Sequence, residues 1–234
     1  MTLFQDLALG ALTLWLLVVA FWFRRSTPVL IGGLILIGVG TAVAIALGAA
    51  TLANIGLSQP ASWTGVLVWA FGWLVLMLAY SPVADWLASR VFEKPPQLDA
   101  FRGLQQSLAK LIVGIAIAWL LGAILEEIVF RGVALNAFRA AFQPLGDDTA
   151  IVLAIVAAAL GAGVVHLYQG LRAALIITQL SALFGVLFVV SGFNLWTVIL
   201  CHGAYDTIAF IRFAVRKSKY STLDNPNAAR SVSE

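Results

Sequence analysis

Charge is scarce in this chain. Only 11 % of its 234 residues are charged, and it holds two histidines, one cysteine and seven prolines. Soluble globular domains carry about 25 % charged residues, so an ordinary water-exposed globule is excluded. The lone Cys201 excludes an internal disulfide framework. Its neighbour His202 invites a Cys–His pair, but successive residues on a helix point about 100° apart and do not face one another. Cys201 therefore reads as a small core residue. The opening Met1-Thr2-Leu3-Phe4-Gln5-Asp6 lacks the basic stretch of a secretory signal, so the first apolar segment is expected to be a retained anchor. No internal repeat, nucleotide loop or soluble domain is visible. The formal charge of +3 and the pI near 9.3 do not point to nucleic acid.

What the chain has instead is apolar length. It is 62 % hydrophobic, with mean hydropathy +0.98. Several runs approach or exceed the roughly 20 residues that span a bilayer core, and none shows the alternation over about 10 residues of barrel strands. The pattern predicts an all-α polytopic membrane helix bundle of about seven transmembrane helices, near 7–23, 28–52, 64–88, 106–137, 149–168, 171–190 and 194–214. Basic residues collect in alternate connections: Arg24 and Arg25; Arg90, Lys94, Arg102 and Lys110; Arg172; and Arg212, Arg216, Lys217 and Lys219. This asymmetry places the C-terminus in the cytoplasm and the N-terminus outside. Three regions are expected: N-terminal membrane helices with a cytoplasmic connection (1–104), a core (105–217), and a polar, disordered tail (218–234).

Against this background two adjacent acids stand out. Glu126 and Glu127 sit inside the run Ala116–Val129, with Arg131 close behind. Ionisable groups at bilayer depth are costly and mark functional sites by default. Glu127 and Arg131 are an i, i+4 pair in the favourable acid-first order, so one carboxylate is expected to be neutralised while Glu126 points elsewhere. Both histidines of the chain, His166 and His202, also fall in apolar segments, and Asp206 follows His202 by one helical turn. Each feature has a plainer reading. A Glu–Arg pair can tie helices together, a lone histidine can be a satisfied polar contact, and His-x-x-x-Asp arises by chance. The concentration of the only histidines and the deepest acids into three spans favours a site. Tyr168, Gln169, Gln179 and Asn194 read as polar contacts between helices.

These residues carry a resemblance. Glu126-Glu127-Ile128-Val129-Phe130-Arg131-Gly132 resembles the first motif of the CPBP (CAAX protease and bacteriocin-processing, or Abi) intramembrane endopeptidases. Gly163-Val164-Val165-His166-Leu167-Tyr168-Gln169-Gly170 is similar to their second motif, and His202-Gly203-Ala204-Tyr205-Asp206 to their third. Order and spacing agree over about residues 105–214. One position departs: Ala162 stands where a phenylalanine usually precedes the histidine by four residues, which removes a bulky wall from the pocket. The resemblance implies a catalytic core in the last four helices and hydrolysis of peptide bonds in membrane-associated or lipidated substrates. It implies Glu126 as the base that activates water, with Glu127 and Arg131 in support. His166 would assist the water, while His202 and Asp206 would stabilise the oxyanion or position the carbonyl.

No cofactor is favoured. Glu126, His166 and His202 would suit catalytic zinc in their donor types, but the chain lacks the His-Glu-x-x-His signature, and a metal-free glutamate mechanism is preferred. The competing function is a non-catalytic membrane protein built on the same polar cluster, either an ion-coupled transporter or an immunity- or chaperone-like family member. Expected partners are a membrane protein or lipidated peptide substrate and the lipid bilayer, with no nucleic acid. The expected location is a prokaryotic cytoplasmic membrane. One difficulty appears in the depths. Counted inward at about 1.5 Å per residue, Glu126 lies about 18 Å deep, His202 about 12 Å and His166 about 27 Å. Two features could reconcile them: residues 132–142 protrude, or the helix breaks at Gly161 and Gly163.

Overall fold

A computed structural model describes residues 3–20 and 27–221. Among the described residues the chain is all-helical, with eight α-helices and no strand. They are α1 (Leu3–Val18), α2 (Thr27–Ala46), α3 (Trp63–Val91), α4 (Leu108–Ile117), α5 (Asn136–Phe142), α6 (Asp147–Val165), α7 (Leu171–Val190) and α8 (Leu195–Ser221). α4 and α5 are the two ends of one continuous rod, Leu108–Leu145, whose middle is π-helical over Ala118–Glu126 and Ile128–Leu135. Widened turns of this kind are rare and gather at functional sites.

Six helical stretches are long and apolar enough to cross a membrane: Pro28–Ala46, Trp63–Val91, Leu108–Leu145, Asp147–Gln169, Leu171–Val190 and Leu195–Val215. The chain is thus a multi-pass membrane protein. The count differs from the seven expected because α1 has only 16 residues, about 24 Å against a core of about 30 Å. Its Leu12 and Trp15, and Val19 just beyond it, are nevertheless buried in the bundle. α2 stops at Ala46, short of the expected 52, and α3 runs past 88 to Val91. α8 continues to Ser221, and the rest of the expected tail lies outside the described residues.

Helix ends follow from local chemistry. The hydroxyl of Ser62 accepts the Gly65 N–H at 3.1 Å to start α3, and that of Ser107 accepts the Lys110 N–H at 3.2 Å to start α4. Asn194, expected to bridge helices, instead caps α8: its Oδ1 accepts the Thr197 N–H at 3.4 Å. Gln179 does bridge. It donates to the Ala84 carbonyl of α3 at 3.3 Å and accepts the Tyr80 hydroxyl at 3.0 Å.

Small residues set the packing, as they must where lipid removes the hydrophobic drive between helices. Ala150, Ala154, Ala158 and Ala162 form a buried stripe on α6. A Cβ on Gly163 would fall 2.0 Å from Thr178 Oγ1 and 2.9 Å from the Ala174 carbonyl, so α6 and α7 touch backbone to backbone there. Many large apolar side chains also point outward, while others such as Phe130 and Phe188 fill the core. Leu36 is 73 % exposed and Leu108 72 %, which is lipid-facing surface rather than a defect.

The depth difficulty resolves through the long rod. A helix of 38 residues spans about 57 Å, well beyond the bilayer core, so its far end, including 132–142, projects past the core or tilts. α6 runs unbroken through Gly161 and Gly163 to Val165. Glu126 and His166 each lie nineteen residues from the turn at Leu145–Asp147, about 28 Å on both sides. The two side chains therefore share one level.

Candidate active site

Glu126, Glu127 and Arg131 come from the middle of the rod, His166 from the end of α6, and His202 and Asp206 from α8. α6 ends at His166, which opens a 3-10 turn to Gln169, and Gly170 closes that turn at φ 98°, where a side chain would be strained. The histidine ring thus sits where the regular helix stops. Its Nδ1 lies 2.8 Å from the Ala162 carbonyl. A carbonyl only accepts, so Nδ1 carries the hydrogen and Nε2 is left facing the interior.

Glu127 is the sealed end of the cluster, and its partners reach from it to the cavity wall. Glu127 is fully buried and Arg131 2 % exposed. Arg131 Nη1 donates to Glu127 Oε1 at 3.0 Å, and His202 Nδ1 donates to the same oxygen at 2.6 Å. Arg131 Nη2 donates across to α7, to the Ser181 carbonyl at 2.9 Å and its hydroxyl at 2.8 Å. Phe184, one turn further on α7, stacks on the His202 ring with centroids 4.7 Å apart and lies 5.4 Å from the Arg131 guanidinium carbon. An unpaired charge in this setting costs several kcal/mol, which is why the guanidinium, the carboxylate and the imidazole occur together.

Glu126 lies on the open side. Its Oε1 is 3.9 Å from His166 Nε2, beyond hydrogen-bond range. His202 Nε2 faces Asp206 Oδ2 at 3.4 Å. Glu126, Arg131, His166, His202 and Asp206 all line one cavity of about 870 Å³, whose remaining wall is largely apolar: Leu34, Leu104, Val113, Leu180 and Phe210 among others. Gly122, one turn before Glu126, keeps this space open, since a Cβ there would lie 3.0 Å from Asp206 Oδ2. Cys201 is buried, and no bond joins it to His202. Tyr168 and Gln169, expected between helices, bond each other at 2.7 Å and line the cavity.

All six residues singled out from the sequence meet in this cluster: Glu127, Arg131 and His202 are directly bonded, Asp206 faces His202, and Glu126 and His166 face each other across a gap. Ser181 and Phe184 were missed. Ser181 is one of only a few polar residues in the middle of an apolar helix, which is a faint signal, and an aromatic in such a helix gives none.

The cluster does not fit zinc. His202 is engaged at both ring nitrogens, Nδ1 donating to Glu127 and Nε2 facing the Asp206 carboxylate at 3.4 Å. Among the described residues no group of three His, Cys, Asp or Glu side chains is arranged to hold a metal ion.

Helices, burial and geometry together define a class: a multi-pass helical membrane protein with carboxylates and imidazoles from separate helices gathered around an internal cavity. Residues 108–208 match the family described as Rce1-like, type II CAAX prenyl endopeptidase, so this stretch is a domain of that protease family. It contains every residue of the cluster. No curated protein and no solved structure matches the chain.

Proposed function

We propose that the chain is an intramembrane endopeptidase that hydrolyses peptide bonds of membrane-associated or lipidated proteins, with Glu126 activating water. The supporting observation is the opposition of Glu126 and His166 across 3.9 Å on the wall of an apolar cavity. A water against both groups gives a proton to Glu126 as its oxygen attacks the substrate carbonyl. The developing oxyanion is met by an Nε2–H of His202, which gives up its 3.4 Å contact with Asp206 while Nδ1–H stays on Glu127, with Asp206 also placed to orient the carbonyl. Donors aimed at such charge in a dry site are worth about 3–4 kcal/mol of barrier. Glu126 then passes its proton to the leaving nitrogen, the C–N bond breaks, and a carboxylate and an amine leave. Glu127 and Arg131 act as supports.

The apolar wall suits a substrate that brings a hydrocarbon chain with its peptide, in keeping with prenylated substrates for this family. The core is read as 105–217, with α1 counted as a seventh span alongside the six longer helices, the C-terminus in the cytoplasm, and a prokaryotic cytoplasmic membrane as the location. The test is cleavage of a mixed set of membrane-tethered and lipidated peptides by detergent-purified protein, wild type beside Glu126→Gln, each with and without chelator. Loss of cleavage in the variant and indifference to chelator are expected. Equal cleavage by both proteins would remove Glu126 from the mechanism, and ion-coupled uptake without cleavage would favour a transporter.

A further inference from the structure

We propose that Ser181 is a positioning residue: its hydroxyl fixes Arg131, and through Arg131 and Glu127 it sets the hydrogen bond that aims His202 into the cavity. This rests on the protease reading and adds to it a residue that lies outside all three sequence motifs.

The argument runs from the acceptors available to one buried guanidinium. Arg131 Nη2 has two, both on Ser181, at 2.8 Å and 2.9 Å. Nη1 has one, Glu127 Oε1, at 3.0 Å. That single carboxylate oxygen also takes His202 Nδ1 at 2.6 Å. Oε1 therefore serves both donors, while Glu127 Oε2 is buried with no hydrogen-bond partner among the described residues. The arrangement has an alternative close by. If Arg131 loses an acceptor on α7, its freed N–H cannot stay unpaired at this depth without a cost of several kcal/mol. The nearest anionic acceptor not in use is Oε2. Reaching it rotates the carboxylate and draws Oε1 away from His202. The Ser181 hydroxyl holds the guanidinium fork back from that exchange.

The surroundings limit where else the groups could go. Glu127 is 0 % exposed and does not line the cavity, whereas Arg131 (2 %) and Ser181 (6 %) reach its wall only by an edge. Phe184 confines both the guanidinium and the imidazole from the same face of α7. A small reorientation of His202 matters because misplacement by about 1 Å can cost about 100-fold in rate.

The chain offers a direct spectroscopic readout, since His166 and His202 are its only histidines. Full-length protein with ¹⁵N-labelled histidine, in detergent, gives two sets of ring signals, which a His166→Ala sample assigns. Ser181→Ala removes the hydroxyl without adding bulk, and Ser181→Thr restores it. The alanine variant is expected to move the His202 Nδ1–H resonance and leave that of His166 in place. It should also lower kcat by about 10- to 100-fold at unchanged KM. The threonine variant should resemble wild type in both. An unmoved His202 signal in Ser181→Ala overturns the proposal. So does an equal loss in alanine and threonine, or a moved signal with undiminished kcat. Should wild type cleave nothing while Ser181→Ala still moves His202, the protease reading fails and the positioning contact stands.

Discussion

Two adjacent glutamates live in opposite halves of one site. Glu127 is sealed, with two donors on one oxygen and no exposure. Glu126, one residue earlier, lines the cavity and meets its imidazole only at 3.9 Å. The sealed half is built like a structural joint, where every change leaves a charge behind. The open half is left under-bonded, with room for a reactant. Under the protease reading, one step along the rod separates a group that holds the site from a group that works in it.

Breaking the open half should give the largest effect. Glu126→Gln is expected to lower cleavage by about 10²- to 10⁴-fold with an unchanged melting temperature, since it removes no bonded partner. Arg131→Ala attacks the sealed half. It leaves Glu127 buried with His202 as its one remaining bonded partner, and the expected loss is about 3–5 kcal/mol of stability, read as a lowered thermal midpoint in detergent. If the two variants exchanged signatures, with Glu126→Gln unstable and Arg131→Ala merely slow, the division of the site would be wrong.

Smaller changes sharpen the boundary. Gly122→Ala puts a methyl 3.0 Å from Asp206 Oδ2, so the carboxylate must shift. About a tenfold fall in kcat at unchanged melting is expected, well within what such a displacement can cost. Ala162→Phe restores bulk beside His166 on the cavity wall. It is expected to raise KM about tenfold for the bulkiest lipidated peptides and less for slim ones, as measured by competition between substrates. Asn194→Ala, remote from both halves, should cost only about 0.5 kcal/mol through its lost cap and leave cleavage untouched.

Much of this was legible in the sequence. The apolar runs fixed an all-helical membrane protein, because a backbone in lipid must satisfy its own hydrogen bonds and helices do so locally. The spacing of Glu127 and Arg131 announced their bond, since residues four apart share a helix face. His202 and Asp206 were legible for the same reason. Their assembly into one cluster was expected from motif order rather than from physics. The span count was less secure, because α1 is short and composition alone does not weigh 16 residues against 20.

What only the tertiary structure decided concerns contacts between helices. The sequence places Ser181 fifty residues from Arg131, and no periodicity joins them; their bond exists because α7 lies against the rod at that level. The level shared by Glu126 and His166 likewise depends on where the 38-residue rod turns back, which is set by the loop at 143–147 and not by hydropathy. The opposite fates of Glu126 and Glu127 follow the same rule. Composition makes both expensive in lipid, but which one is enclosed and which one lines a cavity depends on what the neighbouring helices bring to each face.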